Sequence, residues 1–262
     1  MARDLTSVQS LVVEFVGLPG VGKSHATRLV AARLAAVGTP ARSSALRINH
    51  EFGTCRRVLY KSGLCAAEAV GRPGRALRVG RSLVRSGQQS RVDIAMLSCN
   101  WFFLIGLLRR ARRRPVVELM DEGIFQLLWS IGFAGGKRAI RDCSSTLLEG
   151  PAHAVLMPDV VVVVEAPLGL IDARLASRGS RAGRVDRMKP TQRHAAHVRG
   201  AELLAEVLSE DVGLIGGASG PLRRRVRNGD PDELDADVAT LVDELASLAG
   251  LMRDGGAAHV LR

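Results

Sequence analysis

The residues best placed to do chemistry lie near the start of the chain, in Gly17-Leu-Pro-Gly-Val-Gly-Lys23-Ser24. Their spacing, G-x-x-x-x-G-K-S, is that of a backbone loop that cradles phosphates. A phosphate chain needs many hydrogen-bond donors at close range. Gly17, Gly20 and Gly22 let the backbone turn back so that successive amides, that of Val21 among them, point inward. A helix opening near Gly22 adds the positive end of its dipole. Lys23 is expected to reach the outer phosphates and Ser24 to ligate Mg²⁺, which brings few protein ligands to such a site. His25 stands where a second small hydroxyl is common. It is grouped with the nucleotide contacts, the alternative being a solvent-facing place on the first helical turn.

Two further groups bear on whether a bound nucleotide is used or only held. Asp121 closes the apolar run "VVELMD", and a carboxylate there can take a proton from an attacking hydroxyl or orient Mg²⁺. The competing reading is a helix cap. Glu122 is its neighbour, and Glu118, inside the run, is read as structural. Arg174 and Arg178 are four apart and share a helix face. Arg181, Arg184 and Arg187 follow in "RGSRAGRVDRMKP", which has almost no core residues. Such a loop can close over phosphates and exclude water; Arg178 and Arg184 are assigned to transfer and Arg174 to nucleotide contact. A solvated basic loop is the plain alternative.

These residues need a scaffold with a common edge. Val12, Val13, Phe15 and Val16 read as a buried strand, followed by an amphipathic helix through Ala26, Leu29, Val30, Leu34 and Val37. Residues 40–48 read as a second strand, with Arg47, His50 and Glu51 near its end. Residues 54–110 read as two or three helices broken at Gly63, at Gly71-Arg-Pro-Gly74 and at Gly87. Residues 115–121 form a third strand, followed by helices over 123–132 and 137–149. "DVVVVVEAP" is a fourth strand whose valines imply burial on both faces. A helix over 168–177, a loop over 178–190, a helix over 191–210, a fifth strand "LRRRVRN" and a helix over 232–248 complete the pattern. The alternation predicts an α/β three-layer fold with a mostly parallel five-stranded sheet and ligands at the strands' C-terminal edge. One domain spans 1–262, with an acceptor-binding helical insertion at about 54–110 and an arginine-rich lid at about 178–190.

The bulk numbers fit one sizeable core: 262 residues, 47% hydrophobic. The longest apolar run, residues 101–108, is too short to span a bilayer, so no membrane partner is expected. Cys55, Cys65, Cys99 and Cys143 lack C-x-x-C spacing and read as buried thiols of a reducing cytosol. The net charge is +11, and of 37 basic residues only Lys23, Lys61, Lys137 and Lys189 are lysine. Arginine suits phosphate, so a nucleic-acid partner stays open. With aromatics at 3% it is not favoured.

GLPGVGKS, a strand ending at Asp121, "PDVVVVVEAPLGLIDARLASRG" and an arginine-rich loop, in that order, resemble the thymidylate kinase and deoxynucleoside kinase group of P-loop kinases. The resemblance covers residues 10–50 and 115–249. It implies ATP and Mg²⁺ as cofactors and Asp121 as the strand-end acid, and it places Asn228 or Gly229 near the purine. In that group an arginine follows the acid; here Glu122 and Gly123 follow it. The expected activity is transfer of the γ-phosphoryl of ATP to a hydroxyl of a small-molecule acceptor such as a nucleoside, sugar or natural-product alcohol. The alternatives are a thymidylate-kinase-like nucleoside monophosphate kinase and, from another class, a nucleotide-switched binding protein or slow NTPase. A cytoplasmic protein is expected, with a homodimer open.

Overall fold

The computed structural model describes residues 10–148, 155–177, 185, 188–209 and 220–253. Five strands form one open sheet: β1 Leu11–Val16, β2 Ala41–Arg42, β3 Val117–Met120, β4 Val160–Glu165 and β5 Leu222–Arg227. Their order is β2-β3-β1-β4-β5, and every pair is parallel. The strand order therefore reverses at β1, which makes the outer end of β1 the switch point where open α/β sheets bind ligands. The registers, Leu11 with Val117, Val13 with Val160 and Glu165 with Arg227, bring the C-terminal ends of the strands to one edge.

Among the described residues there are nine helices: α1 Lys23–Ala36, α2 Ser44–His50, α3 Thr54–Gly71, α4 Pro73–Arg85, α5 Arg91–Ala111, α6 Ile124–Leu147, α7 Leu168–Ser177, α8 Pro190–Val207 and α9 Pro231–Arg253. Helices α1 and α9 pack on each other and on the sheet; α6 packs on β1 and against α4, α5 and α8. The arrangement is compatible with a three-layer α/β fold. Local chemistry sets several starts. The Ser90 hydroxyl accepts from the amide of Asp93 at the N-cap of α5. Pro73 opens α4, and Asp230 accepts from the amides of Asp232 and Glu233 to begin α9. At the other end of the sheet Arg112 donates to Ser10 O, Met157 O and Asp159 Oδ2, tying α5 to β1 and to the start of β4.

Two expectations are corrected. The second strand is two residues long, and 44–50 is helical. The Glu118 carboxylate accepts from the amide and hydroxyl of Ser44, which turns the chain into α2. This also bears out the structural reading of Glu118, which is buried. Gly63 does not break α3, which runs on to Gly71. The two helices expected after β3 are borne out: within the helical span of α6 the backbone at Gly136, with φ 76° and ψ −174°, is not helical and separates two helical pieces. Helix α5 is long and apolar enough to cross a bilayer, but half of its apolar window is buried in the fold, with Trp101, Ile105 and Leu108 in the core.

Candidate phosphate and acceptor site

Strand β1 runs directly into the glycine loop, and α1 begins at Lys23. Gly20 and Gly22 hold φ of +92° and +93°, a region L side chains rarely enter. A Cβ on Gly22 would lie 2.1 Å from Asn228 Nδ2, so both conformation and space exclude any other residue there. The Lys23 ammonium donates to the carbonyls of Gly17 at 2.8 Å and Leu18 at 3.3 Å, folding back over the loop it is expected to serve.

Ser24, on the first turn of α1, donates its hydroxyl to Asp121 Oδ2 at 2.8 Å. Asp121 is 4% exposed, and its other oxygen, Oδ1, is buried without a hydrogen-bond partner. The cap of α6 is Gly123, with no side-chain cap bond, so the helix-cap reading of Asp121 is set aside. A buried carboxylate with one unsatisfied oxygen beside a helix-start hydroxyl is a donor set suited to a hard cation. No cluster of three or more His, Cys, Asp or Glu among the described residues could hold a metal. Mg²⁺, which keeps several waters and takes one or two protein oxygens, fits this pair.

Arg174 and Asn228 brace the loop from behind. Arg174 Nη1 donates to Val21 O at 3.1 Å, and its Nη2 donates to Asn228 O at 3.1 Å. Asn228 Nδ2 donates to the same Val21 carbonyl at 2.6 Å, and the amide of Asn228 donates to Glu165 O. β5 and α7 thereby fix the middle of the loop. His25 is exposed on α1, the solvent-facing alternative. Arg178 and Arg184, with Arg181 and Arg187, lie outside the described residues.

Three site residues escaped the sequence reading: Glu14, Gln126 and Lys61. Glu14, in the middle of β1, is 1% exposed, and its Oε1 accepts from the amide of Gln126 at 2.9 Å. Burial pushes its carboxyl up to about 7 against the lowering pull of the α6 N-terminal amides. A Cβ on Gly123 would lie 2.3 Å from Glu14 Cδ, so the Glu14 carboxyl fills the space a side chain there would need. Gln126 Oε1 in turn accepts from the amide of Gly17 at 3.4 Å, so the start of α6 is linked to the first loop glycine. A charged residue inside an otherwise apolar, doubly buried strand was the available signal, since such a group needs partners.

The third is Lys61, which stands near Glu122, the neighbour of Asp121 already named from the sequence. Glu122 is exposed, and Lys61, Lys23 and His50 lie within electrostatic reach of it. Desolvation there, and then the adjacent Asp121, raise its carboxyl above the ordinary value, while Lys61, Lys23 and His50 pull it down. Lys61, on α3, lies with its ammonium 4.9 Å from the centre of the Phe103 ring. Partial burial lowers its pKa, with Glu122 the largest opposing influence. Lys61 of the helical insertion and Glu122 beside Asp121 thus act on each other electrostatically, a cation and a carboxylate near the strand-end acid. No sequence signal singled out Lys61.

No protein-family model matches the chain, and no curated protein matches it.

Proposed function

We propose that the protein is a P-loop small-molecule kinase that transfers the γ-phosphoryl group of ATP, with Mg²⁺, to a hydroxyl acceptor. The observation that carries this reading is the Ser24–Asp121 hydrogen bond at 2.8 Å beside the Lys23 loop. It joins the hydroxyl expected to hold the cation to the strand-end carboxylate expected to orient it. A loop serving only as a turn has no need of that pair.

Mg–ATP, when bound, supplies the transferable phosphoryl group and a divalent charge. The glycine-loop amides and Lys23 would hold the phosphates, and Ser24 and Asp121 the metal. Asp121 is already engaged by Ser24. Glu122, in the cleft with a raised carboxyl and no such bond, is therefore the better-placed proton acceptor for the incoming hydroxyl. Lys61 opposite it supplies positive charge on the acceptor side. Catalysis on this scheme is positioning plus charge stabilisation.

The test is ADP release from Mg–ATP across a panel of nucleosides, nucleotides, sugars and natural-product alcohols, with Lys23→Ala as control. One acceptor class should stimulate release. The folded variant should lose it by an amount equivalent to about 3 kcal/mol of barrier, as when one preorganised donor is removed. Near-normal turnover by folded Lys23→Ala would remove the kinase reading. ATP hydrolysis indifferent to every acceptor would favour an NTPase.

A further inference from the structure

Several surface arginines are matched by acids: Arg33 with Asp235, Arg141 with Glu206, Arg224 with Glu244 and Arg227 with Asp237. Helix α4 instead carries a run of unmatched ones on one element. Between Glu68 and Asp93 the chain has six arginines, at 72, 75, 78, 81, 85 and 91, and no acid. Arg72 pairs with Glu68. Arg78, Arg81 and Arg85 are exposed, and among the described residues none has an ion-pair partner.

The same face is apolar as well as basic. Val79 and Leu83 are buried, at 2% and 1% exposed, and seat α4 against α5 and α6. On the opposite face Leu77 and Val84 are 61% and 62% exposed, and Val70, at the turn into α4, is 79% exposed. At 100° per residue Leu77, Arg81, Val84 and Arg85 fall on one stripe, with Arg78 at its edge. A shallow groove along this stripe is lined by Ala76, Leu77, Gly80, Arg81, Val84 and Arg85.

We propose that α4 is a peripheral docking surface for a bilayer containing anionic phospholipid. A helix with apolar side chains projecting between unpaired cations lies in the interface plane. Its cations meet lipid phosphates and its apolar residues enter the acyl boundary. Charge complementarity selects this occupant. A second copy of the chain would set the same three unpaired guanidiniums against one another. A nucleic acid would meet the charge but leave Leu77, Val84 and Val70 in water, and α4 has no aromatic residue for a base to stack on. The contact lies on the membrane surface rather than across it, and so revises the expectation of no membrane partner. It does not depend on the nucleotide reading.

The experiment is co-sedimentation of the full chain with vesicles of phosphatidylcholine alone and of phosphatidylcholine mixed with phosphatidylglycerol. Three proteins are compared: wild type, the triple variant Arg78→Gln, Arg81→Gln and Arg85→Gln, and the double variant Leu77→Asp and Val84→Asp. All five positions are exposed, and circular dichroism confirms the fold. Wild type should bind the anionic vesicles, not the neutral ones, and release as salt rises. The triple variant should lose on the order of 100-fold in partitioning, and the double variant at least about 10-fold. Any of four results overturns the proposal: no binding to anionic vesicles, equal binding to neutral ones, anionic binding unchanged in both variants, or a wild-type dimer in sedimentation velocity that the double variant abolishes.

Discussion

Replacing Glu14 by glutamine should make the protein more stable at pH 8 and change little near pH 4.5. The folded chain holds this carboxyl at about 7, against an ordinary value of 4.5. The native state therefore binds the proton more tightly than the unfolded chain. Stability from this site is fully present below the ordinary value, falls as pH rises between the two, and is flat above the folded value. At about 1.4 kcal/mol per tenfold, the loss by pH 8 is about 3 kcal/mol. A glutamine is neutral throughout and keeps an oxygen for the Gln126 amide that Glu14 now receives. The variant should thus gain about 3 kcal/mol at pH 8, or roughly 6–12 °C in Tm for a chain of this size. Urea unfolding of both proteins at pH 5, 6, 7 and 8, with matched m-values, measures the difference directly. A difference that does not vary with pH would refute the reasoning. So would a less stable variant at pH 8, because the N-terminus of α6 would then be holding a charged carboxylate that it needs.

Glu122→Gln should lower kcat by about 10²–10⁴ with little effect on ATP binding, and remove an acid limb displaced above the ordinary carboxylate range; unchanged turnover would place the base elsewhere. Asp121→Asn should raise the Mg²⁺ concentration needed for half-maximal rate, and an unaltered Mg²⁺ dependence would remove its metal role. Gly22→Ala forces a side chain to a φ of +93° and into Asn228. It should cost at least about 1–3 kcal/mol in unfolding experiments and weaken nucleotide binding measured by calorimetry. A phosphorylated acceptor should show a lower kcat/KM than its dephosphorylated counterpart. Like charges about 4 Å apart at an effective dielectric near 20 repel by about 4 kcal/mol before relaxation, and Glu122 is within electrostatic reach of Lys23 on the glycine loop.

The glycine loop, β1, α1, β4 and the placing of Asp121 were legible because each rests on local pattern: a glycine spacing, an apolar run, a run ending at an acid. β2 was not, because a two-residue edge strand has too few side chains to show a period, and Glu118, some seventy residues away, ends it. Gly123 carried no signal of its own in the sequence, because the Glu14 carboxyl that excludes a side chain there comes from more than a hundred residues away. Lys61 could not be read at all. Its position depends on how α3 lies across the cleft, and nothing in its neighbours' sequence encodes that.

The parallel placing of β1 at the centre of the sheet also shapes how the chain is made. Its two partners, Val117–Met120 and Val160–Val163, leave the ribosome long after it does. At about 5–20 residues per second, an apolar strand waits roughly 7–30 s for its second neighbour. An unpaired run of Leu, Val and Phe is a nucleus for aggregation, and one charge within it is an effective guard. Glu14 is that charge. In the nascent chain, with its ordinary value of 4.5, it is ionised; in the finished sheet it is raised to about 7 and can be neutralised. A chain carrying glutamine there would end more stable at pH 8 and yet be less soluble on the way, with the cost borne by chaperones during synthesis rather than by the folded protein.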